Sequence, residues 1–321
     1  SRLGDAERES VELLAVYGRA VPVGALRCVT GIESVQSGLV RHLCGRMILS
    51  CDDETVDFSH DLVRDAVLSQ TDPTIRPRIH ARIARSLLRE AVLDPGRHDL
   101  DVAYHLLRSD RREDRATAPQ YAVRAAERAE AAGAWGDAIA VWRELMDHLP
   151  ENDALIRADA QFGIGRCLLF QPVNYPSRYE GQALVARAIR TYLKHADYQR
   201  LVAAAAKRNS LIEFELMDAW ERAAEMIPGD YPGAAIVRYR RAWNRFFVFP
   251  DFDHIRQGLT CVREAICESD PEWISLGVEA GTVLLRLWEG KGGGIRDAVS
   301  LLPRVRSSAD PVERIWWLKQ V

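Results

Sequence analysis

Helical periodicity dominates the chain from Arg76 onward and constrains its fold more than any other feature. Apolar side chains recur at the 3.6-residue spacing of an α-helix with one buried face, as Ile83 and Leu87 do within 76–93. Proline, glycine and aspartate interrupt this pattern at intervals, first at 94–96. The sequence therefore predicts a long series of amphipathic helices joined by turns.

The most specific part of this series is 118–150. Gly133 marks a turn between two predicted helices, and Trp142 lies on the second. The small residues of the two helices are Ala122, Ala125, Ala126, Ala129 and Ala138. Small side chains let paired helices approach closely, a glycine permits the turn, and one aromatic ring fills the groove between neighbours. This order resembles the tetratricopeptide repeat, a helix pair of about 34 residues.

Looser helix pairs follow this repeat and predict a superhelical α-solenoid, because each pair covers only one face of its neighbour. The predicted pairs are 154–169 with 180–195, 199–212 with 213–226, 234–248 with 252–269, and 272–288 with 295–305. A solenoid end needs a polar outer face, whereas this chain ends with Trp316, Trp317 and Leu318 close to its last residue. We therefore expect further repeats beyond Val321.

The start of the chain has a different pattern. Short helical patterns at 7–17, around Leu26 and at 33–46 precede an apolar run at 47–50, and alternating residues at 55–59 follow a polar turn. The last two segments predict a β-hairpin. Three helices followed by a hairpin predict a winged helix.

We therefore predict a mainly α protein with three parts. They are a small winged-helix domain at 1–70, a helical linker with the first helix pair at 71–117, and a tetratricopeptide-like α-solenoid at 118–321, truncated at its C-terminus. Neither a secretory leader nor an apolar run of about 18 residues is evident. We expect a cytoplasmic protein that does not bind membranes.

Charge and cysteine usage narrow the function. Lys and Arg total 43 against 46 for Asp and Glu, so the net charge of -3 provides no field that would attract nucleic acid or an anionic membrane. The six cysteines form no CxxC pair, and we expect reduced core thiols. The glycines of 290–294 predict a turn rather than a phosphate-binding loop. With no metal-ligand spacing and no catalytic constellation, we expect no enzyme activity, metal or cofactor in this chain.

Segment 58–67 carries the sharpest local motif, with His60 and Asp61 directly after the predicted hairpin. It resembles the end of the winged helix in signal-transduction ATPases with numerous domains. The resemblance implies that His60 senses nucleotide by contacting the phosphates of ADP on a preceding domain, while Asp61 braces the following helix. An imidazole at a helix N-terminus favours an anion on electrostatic grounds. Without the resemblance, the motif indicates local helix capping.

The resemblance continues downstream, where Arg76, His80, Ile83 and Ala84 follow the spacing found in large ATP-binding regulators of the LuxR type and in cyclase-linked ATPases. It covers about residues 1–150. It implies ATP or ADP as the cofactor of the intact protein, a nucleotide-binding domain of the same polypeptide as a partner, and transcription or cyclase control as the output. This chain has no GxxxxGK[ST] loop, so it should not hydrolyse ATP by itself.

Two surfaces are candidates for partner binding. The third predicted helix exposes few cations, so we expect no direct nucleic-acid binding; its polar residues are Ser34, Gln36, Ser37, Arg41 and His42. In the C-terminal half, basic and aromatic residues at helical spacing predict a patch that holds a ligand or a protein partner, with simple groove filling as the alternative. This patch consists of Arg238, Tyr239, Arg241, Trp243, Arg245 and Phe246.

Together these features predict the regulatory and sensor arm of a bacterial regulator of this ATPase class. The arm binds an inducer or a protein partner and controls a nucleotide switch outside this chain. The alternative is a passive scaffold of the tetratricopeptide-repeat type, which assembles proteins without a switch. A nucleotide-dependent effect of replacing His60 would distinguish the two.

Overall fold

The computed structural model describes residues 4–307 except 31, 33–36, 92–95, 97, 151, 171–174, 208–213 and 249–250. Internal packing divides the chain into two compact units, 1–150 and 151–321. Both units are mainly helical, and the first also contains a small three-stranded sheet.

The first unit opens with helices packed on that sheet. Its first elements are α1 (Asp5–Tyr17), β1 (Val21–Pro22), α2 (Val23–Thr30), α3 (Gly38–Gly45), β2 (Leu49–Cys51), β3 (Thr55–Phe58) and α4 (Asp61–Gln70). Val21 pairs with Val56 and Leu49 pairs with Phe58, both in antiparallel register, so β3 lies between β1 and β2. The strand residue Val56 is fully buried, and the sheet thus anchors the core of this part.

The predicted hairpin is confirmed, with β2 and β3 as its strands. Asp52 fixes the turn, because its Oδ1 accepts hydrogen bonds from the backbone N–H groups of Glu54 (2.8 Å) and Thr55 (2.6 Å). No periodicity predicts β1, because two residues are too few for an alternating pattern. The sheet therefore has one strand more than the sequence indicates.

The first unit continues with α5 (Arg76–Ala91), α6 (Asp99–Leu107), α7 (Arg112–Ala131) and α8 (Trp135–His148). The predicted turn between α7 and α8 is confirmed, with Gly133 at φ 72°. Trp142, the aromatic residue of the predicted repeat, lies on α8 and its ring is buried. Its Nε1–H donates to Oε1 of Glu130 on α7 (3.0 Å). This hydrogen bond satisfies the polar edge of a ring that otherwise fills apolar space.

The dense charges of 108–115 predict a solvated loop from the sequence. This prediction is wrong for the second half of the segment, because α7 begins at Arg112. Glu113 and Asp114 occupy the first turn of α7, where negative charge is favoured by the helix dipole. Asp114 also accepts a hydrogen bond from the hydroxyl of Ser109 (2.5 Å), which holds the connection to α6. A run of charges is thus the start of a helix.

The second unit consists of helices joined by short connections. They are α9 (Ala154–Phe170), α10 (Tyr175–Lys194), α11 (Tyr198–Ala206), α12 (Phe214–Met226), α13 (Ala234–Val248), α14 (Phe252–Ala265), α15 (Glu272–Trp288) and α16 (Gly294–Ser307). The predicted helix pairs are confirmed within a few residues. Two bounds differ most: α11 ends at Ala206 rather than at 212, and α10 begins at Tyr175 rather than at 180. The early start of α10 is possible because Pro176 lies in its first turn, where a helix needs no N–H donor. The predicted apolar end at Trp316, Trp317 and Leu318 lies outside the described residues.

Helices α9 and α10 approach each other closely through two glycines. A Cβ atom on Gly165 would lie 2.6 Å from the carbonyl oxygen of Gly181, and a Cβ atom on Gly181 would lie 2.8 Å from the carbonyl oxygen of Gly165. Both distances are shorter than real Cβ atoms show. Because the obstacle is backbone rather than a flexible side chain, neither position accepts a larger residue without moving a helix.

We expect Gly165→Ala to lower the free energy of unfolding by roughly 1 to 3 kcal/mol, the range for overpacked sites. Urea denaturation followed by circular dichroism measures the change. The control is Gly292→Ala, because no heavy atom lies within 4 Å of a Cβ placed there. Equal midpoints for the two variants would contradict the close packing of α9 and α10.

Candidate functional site

His60 is the N-cap residue of α4 and joins this helix to β3. Its backbone is extended, and its carbonyl oxygen accepts from the backbone N–H groups of Val63 (2.9 Å) and Arg64 (3.3 Å). Its side chain is exposed and makes no capping hydrogen bond. The imidazole is therefore exposed and is not used to cap α4.

Asp61 follows in the first turn of α4, where its charge interacts favourably with the helix dipole. Its carboxylate forms an exposed ion pair with Arg64 one turn later (3.1 Å). Arg64 thus offsets a negative charge that would otherwise repel an anion beside His60. The sequence motif names only His60 and Asp61, although the spacing of Asp61 and Arg64 is that of a helical ion pair.

Two exposed apolar side chains belong to the segments that meet at His60. Leu62, on α4, is 81% exposed, and Met47, just before β2, is 71% exposed. Ser59, the residue before His60, is bonded to the segment that carries Met47: its hydroxyl donates to the carbonyl oxygen of Met47, and its N–H donates to that of Ile48 (3.1 Å). We call Met47, His60 and Leu62 the His60 face.

Arg76, the first residue of the downstream motif, ends α4 rather than facing a ligand. Its guanidinium donates to the carbonyl oxygen of Thr71 (3.1 Å) and to that of Leu68. These are carbonyls that a helix leaves unpaired at its C-terminus. Arg76 therefore fixes the connection from α4 to α5.

His80, also in that motif, forms a buried pair with His105. Nδ1 of His80 on α5 lies 2.8 Å from Nδ1 of His105 on α6, and the rings of Tyr17 and Tyr104 contact the pair. Nε2 of His105 is buried with no hydrogen-bond partner among the described residues. An unpaired lone pair there costs less than an unpaired N–H. The tautomer that avoids a buried, unpaired N–H has the proton of His105 on Nδ1, which then donates to Nδ1 of His80.

Both histidines are neutral in the folded protein at pH 7. Burial lowers the pKa of His80 to about 4, and the positive charges of Arg108 and Arg76 add to this effect. Burial also lowers the pKa of His105 well below its usual value, with further contributions from His80, Arg19 and Arg108. A proton on either ring would lack a counter-charge in this cluster.

We expect the first unit to lose stability in acid because of this pair. In the unfolded chain both histidines bind protons below about pH 6.5, whereas the folded pKa of His80 is about 4. Stability is thus complete above pH 6.5 and falls as the pH decreases towards 4, by roughly 3 kcal/mol for His80. Urea midpoints measured across this range test the trend.

The control for this measurement is His254→Gln, because His254 is exposed on α14. That variant should show the same fall in midpoint with pH as the unaltered chain. His80→Leu should show a shallower fall. An unchanged pH dependence in His80→Leu would contradict the assignment.

A groove between α6, α7 and α8 is a candidate ligand space of the first unit, with a volume of about 570 Å³. Its floor consists mainly of small side chains, which are Ala103, Ala122, Ala125, Ala129 and Ala140. Tyr104 lines one side, and Arg128, Asp137 and Glu144 contribute charge to the lining. We call it the alanine groove. Its volume lies within the range of small-molecule sites.

The alanine groove is held in shape by a buried carboxylate. Asp99, at the start of α6, is 1% exposed and accepts hydrogen bonds from Arg124 (3.0 and 3.1 Å) and Arg128 (3.1 Å) on α7. Arg128 also donates to the carbonyl oxygen of Gly96. These charge-assisted contacts fix α6 against α7, and they direct Arg128 along the edge of the groove.

The predicted C-terminal patch divides into buried rings and accessible arginines. Tyr239 is 2% exposed and Trp243 is 8% exposed, and their rings stack with centroids 5.7 Å apart. Tyr239 also contacts Trp273 edge-on, so both rings belong to the core of the second unit. This packing favours the alternative, groove filling, for the aromatic residues. Their binding role stays a prediction.

The arginines of the patch are only partly exposed. Arg245 pairs with Glu221 on α12, and Arg238 is partly exposed beside Gly229. Nε of Arg241 is buried with no hydrogen-bond partner among the described residues. The side chain of Phe246 lies outside the described ones. A polar contact in this patch is therefore best sought at Arg241.

The third predicted helix is shorter than expected, because α3 begins at Gly38. Ser34 and Gln36 lie outside the described residues, and Ser37 caps α3 by accepting from the N–H of Val40 (3.3 Å). Arg41 is exposed, and His42 lies 3.4 Å from Glu7 on α1. The polar face thus presents a single arginine within its described part.

Comparisons with known proteins yield one weak structural similarity. No protein-family model matches the chain, and no curated protein matches it. One solved structure is similar, that of a signal transduction ATPase with numerous domains carrying a tetratricopeptide repeat sensor, from Pyrococcus horikoshii. It is 11% identical with a TM-score of 0.39, and the match covers 99% of this chain and 52% of that one. This chain therefore spans about half of that protein, and so low a score carries no argument about fold or function.

The described residues add two observations on site chemistry. Among them, no helix is long and apolar enough to cross a membrane, and no group of three His, Cys, Asp or Glu side chains could hold a metal ion. The expectation of core thiols holds for Cys167, which is buried. It is wrong for Cys51 and Cys267, which are exposed.

Proposed function

We propose that this chain is the regulatory and sensor arm of a bacterial signal-transduction ATPase with numerous domains. Its nucleotide switch would lie in a domain outside the chain, with transcription or cyclase control as the output. The observation that carries the proposal is the His60 face, where an exposed imidazole begins α4 and the side chains of Leu62 and Met47 are also exposed. Such a surface suits another domain that presents an anionic ligand.

The order of elements supports the winged-helix part of this proposal. A helix, a short strand, two helices and a hairpin follow one another over 5–58, and β3 is central in the sheet. In this arrangement α4 leaves the hairpin directly, with His60 at its start. The His60 face is then the natural point at which the sheet region meets a preceding domain.

The test is the affinity of the intact polypeptide for ADP. A hydrogen bond to a charged phosphate contributes roughly 1.5 to 3 kcal/mol, so His60→Ala should weaken ADP binding about 10- to 100-fold. Isothermal titration with the longest natural polypeptide that contains this chain measures the effect. The matched control is His254→Ala, because His254 is also exposed in the first turn of a helix. Equal ADP affinity in both variants would refute the nucleotide role of His60.

The sensor role requires a ligand or partner, and the alanine groove is where we expect it to bind. A melting screen of the chain against metabolites, nucleotides and peptides tests this. A ligand at about 100 times its Kd adds about 2.7 kcal/mol. Each kcal/mol raises the Tm of a domain of this size by roughly 2 to 4 °C, so we expect a shift of roughly 5 to 11 °C. At least one compound should cause such a shift.

Substitutions on α8 then locate the site. Ala140→Trp fills the alanine groove and should abolish the shift, whereas Asp147→Trp, exposed on the same helix and away from the lining, should preserve it. A shift that survives Ala140→Trp and is lost in Arg241→Ala would move the site to the C-terminal patch. No shift with any compound would favour the passive scaffold over the sensor.

A further inference from the structure

Two cysteines of the first unit lie within reach of each other. Sγ of Cys44, near the end of α3, is 3.2 Å from Sγ of Cys51 on β2. The bond length in a disulfide is about 2.05 Å, so a movement of about 1 Å would join them. Six residues separate the two cysteines, and that spacing is not one that indicates a pair in the sequence.

The backbone between the two cysteines is well ordered by hydrogen bonds. The N–H of Met47 donates to the carbonyl oxygen of Cys44 (2.9 Å), and the N–H of Ile48 donates to that of Leu43 (3.0 Å). Cys51 is paired with Val56 across the hairpin. Helix α3 and the hairpin therefore fix the positions of both cysteines.

Access differs between the two thiols. Cys51, on the edge strand β2, is exposed, whereas Cys44 is partly buried. Burial raises the pKa of Cys44 to about 11, and the contact with Cys51 adds to the effect. The thiolate is the nucleophilic form, so Cys44 reacts slowly with reagents from solution. Cys51 is the thiol that meets an oxidant first.

We propose that Cys44 and Cys51 form a reversible disulfide in response to low-molecular-weight disulfides such as oxidised glutathione. The Cys51 thiolate attacks one sulfur of the oxidant, forms a mixed disulfide and expels one glutathione thiolate. The Cys44 thiolate, after losing its proton to water, then attacks the Cys51 sulfur and expels the second glutathione. Two protein thiols are oxidised to one disulfide, and one glutathione disulfide is reduced to two thiols.

This bond would tie the end of α3 to the hairpin that leads to the His60 face. Met47 lies inside the closed loop, and Ser59, which bonds its carbonyl oxygen, follows β3 directly. The site is thus a redox-sensitive clamp on the sheet region. It goes beyond the proposed function and does not depend on it, because neither thiol takes part in the proposed contact with nucleotide.

Peptide mapping tests the disulfide directly. The reduced chain is incubated with oxidised glutathione, its remaining thiols are alkylated, and it is digested with trypsin without reductant. Cleavage after Arg41, Arg46 and Arg64 separates the cysteines into peptides 42–46 and 47–64. We expect a linked pair whose mass is two hydrogen atoms below the sum of the free peptides, and dithiothreitol should release both.

Variants distinguish the two steps. Cys44→Ser removes the resolving thiol and should leave glutathione attached to peptide 47–64, whereas Cys51→Ser should leave peptide 42–46 without glutathione. Cys267→Ser, at an exposed cysteine of the second unit, should not change the linked pair. Stable glutathione on Cys51 of the unaltered chain, linkage to any other cysteine, or two unreacted thiols would each overturn the proposal.

Discussion

Close approach of helices through small side chains is the constraint on which both units depend. Ala118, Ala122 and Ala126 are almost fully buried along α7, and Gly165 and Gly181 bring α9 and α10 to backbone contact. Where the side chains are small, packing energy comes from contact between whole helix surfaces. A single added methyl group is therefore costly at such positions, and the large rings occupy only the gaps that remain.

Much of this architecture follows from the sequence. The helix pairs, the Gly133 turn and the hairpin are predictable because each has a local signature within a few residues. The start of α7 and the strand β1 are not, since a charged first turn resembles a loop and two residues carry no period. The pattern also cannot tell which partner a helix packs against, because contacts between distant segments leave no periodic trace.

The candidate sites also divide into features with a local sequence signature and features that depend on contacts between distant segments. His60 stands out because its motif is contiguous, whereas Met47 joins it only through the fold of the hairpin. Periodicity indicates that Tyr239 and Trp243 share a face, yet the structure directs that face into the core. The pairs His80 with His105 and Cys44 with Cys51 depend on tertiary contacts. The sequence does not predict these pairs, because each joins side chains from two different secondary-structure elements.

The ion pairs of Asp99 with Arg124 and Arg128 should be less sensitive to ionic strength than ion pairs on the surface. Mobile ions weaken charge pairs that they can surround, such as Arg256 with Asp253 on the surface of α14. The carboxylate of Asp99 is enclosed by protein, and only the outer sides of its two arginines meet solvent. Salt ions therefore reach the arginines but not the carboxylate of Asp99. The ion pairs between α6 and α7 should be screened less at high salt concentration than the exposed pairs on the surface.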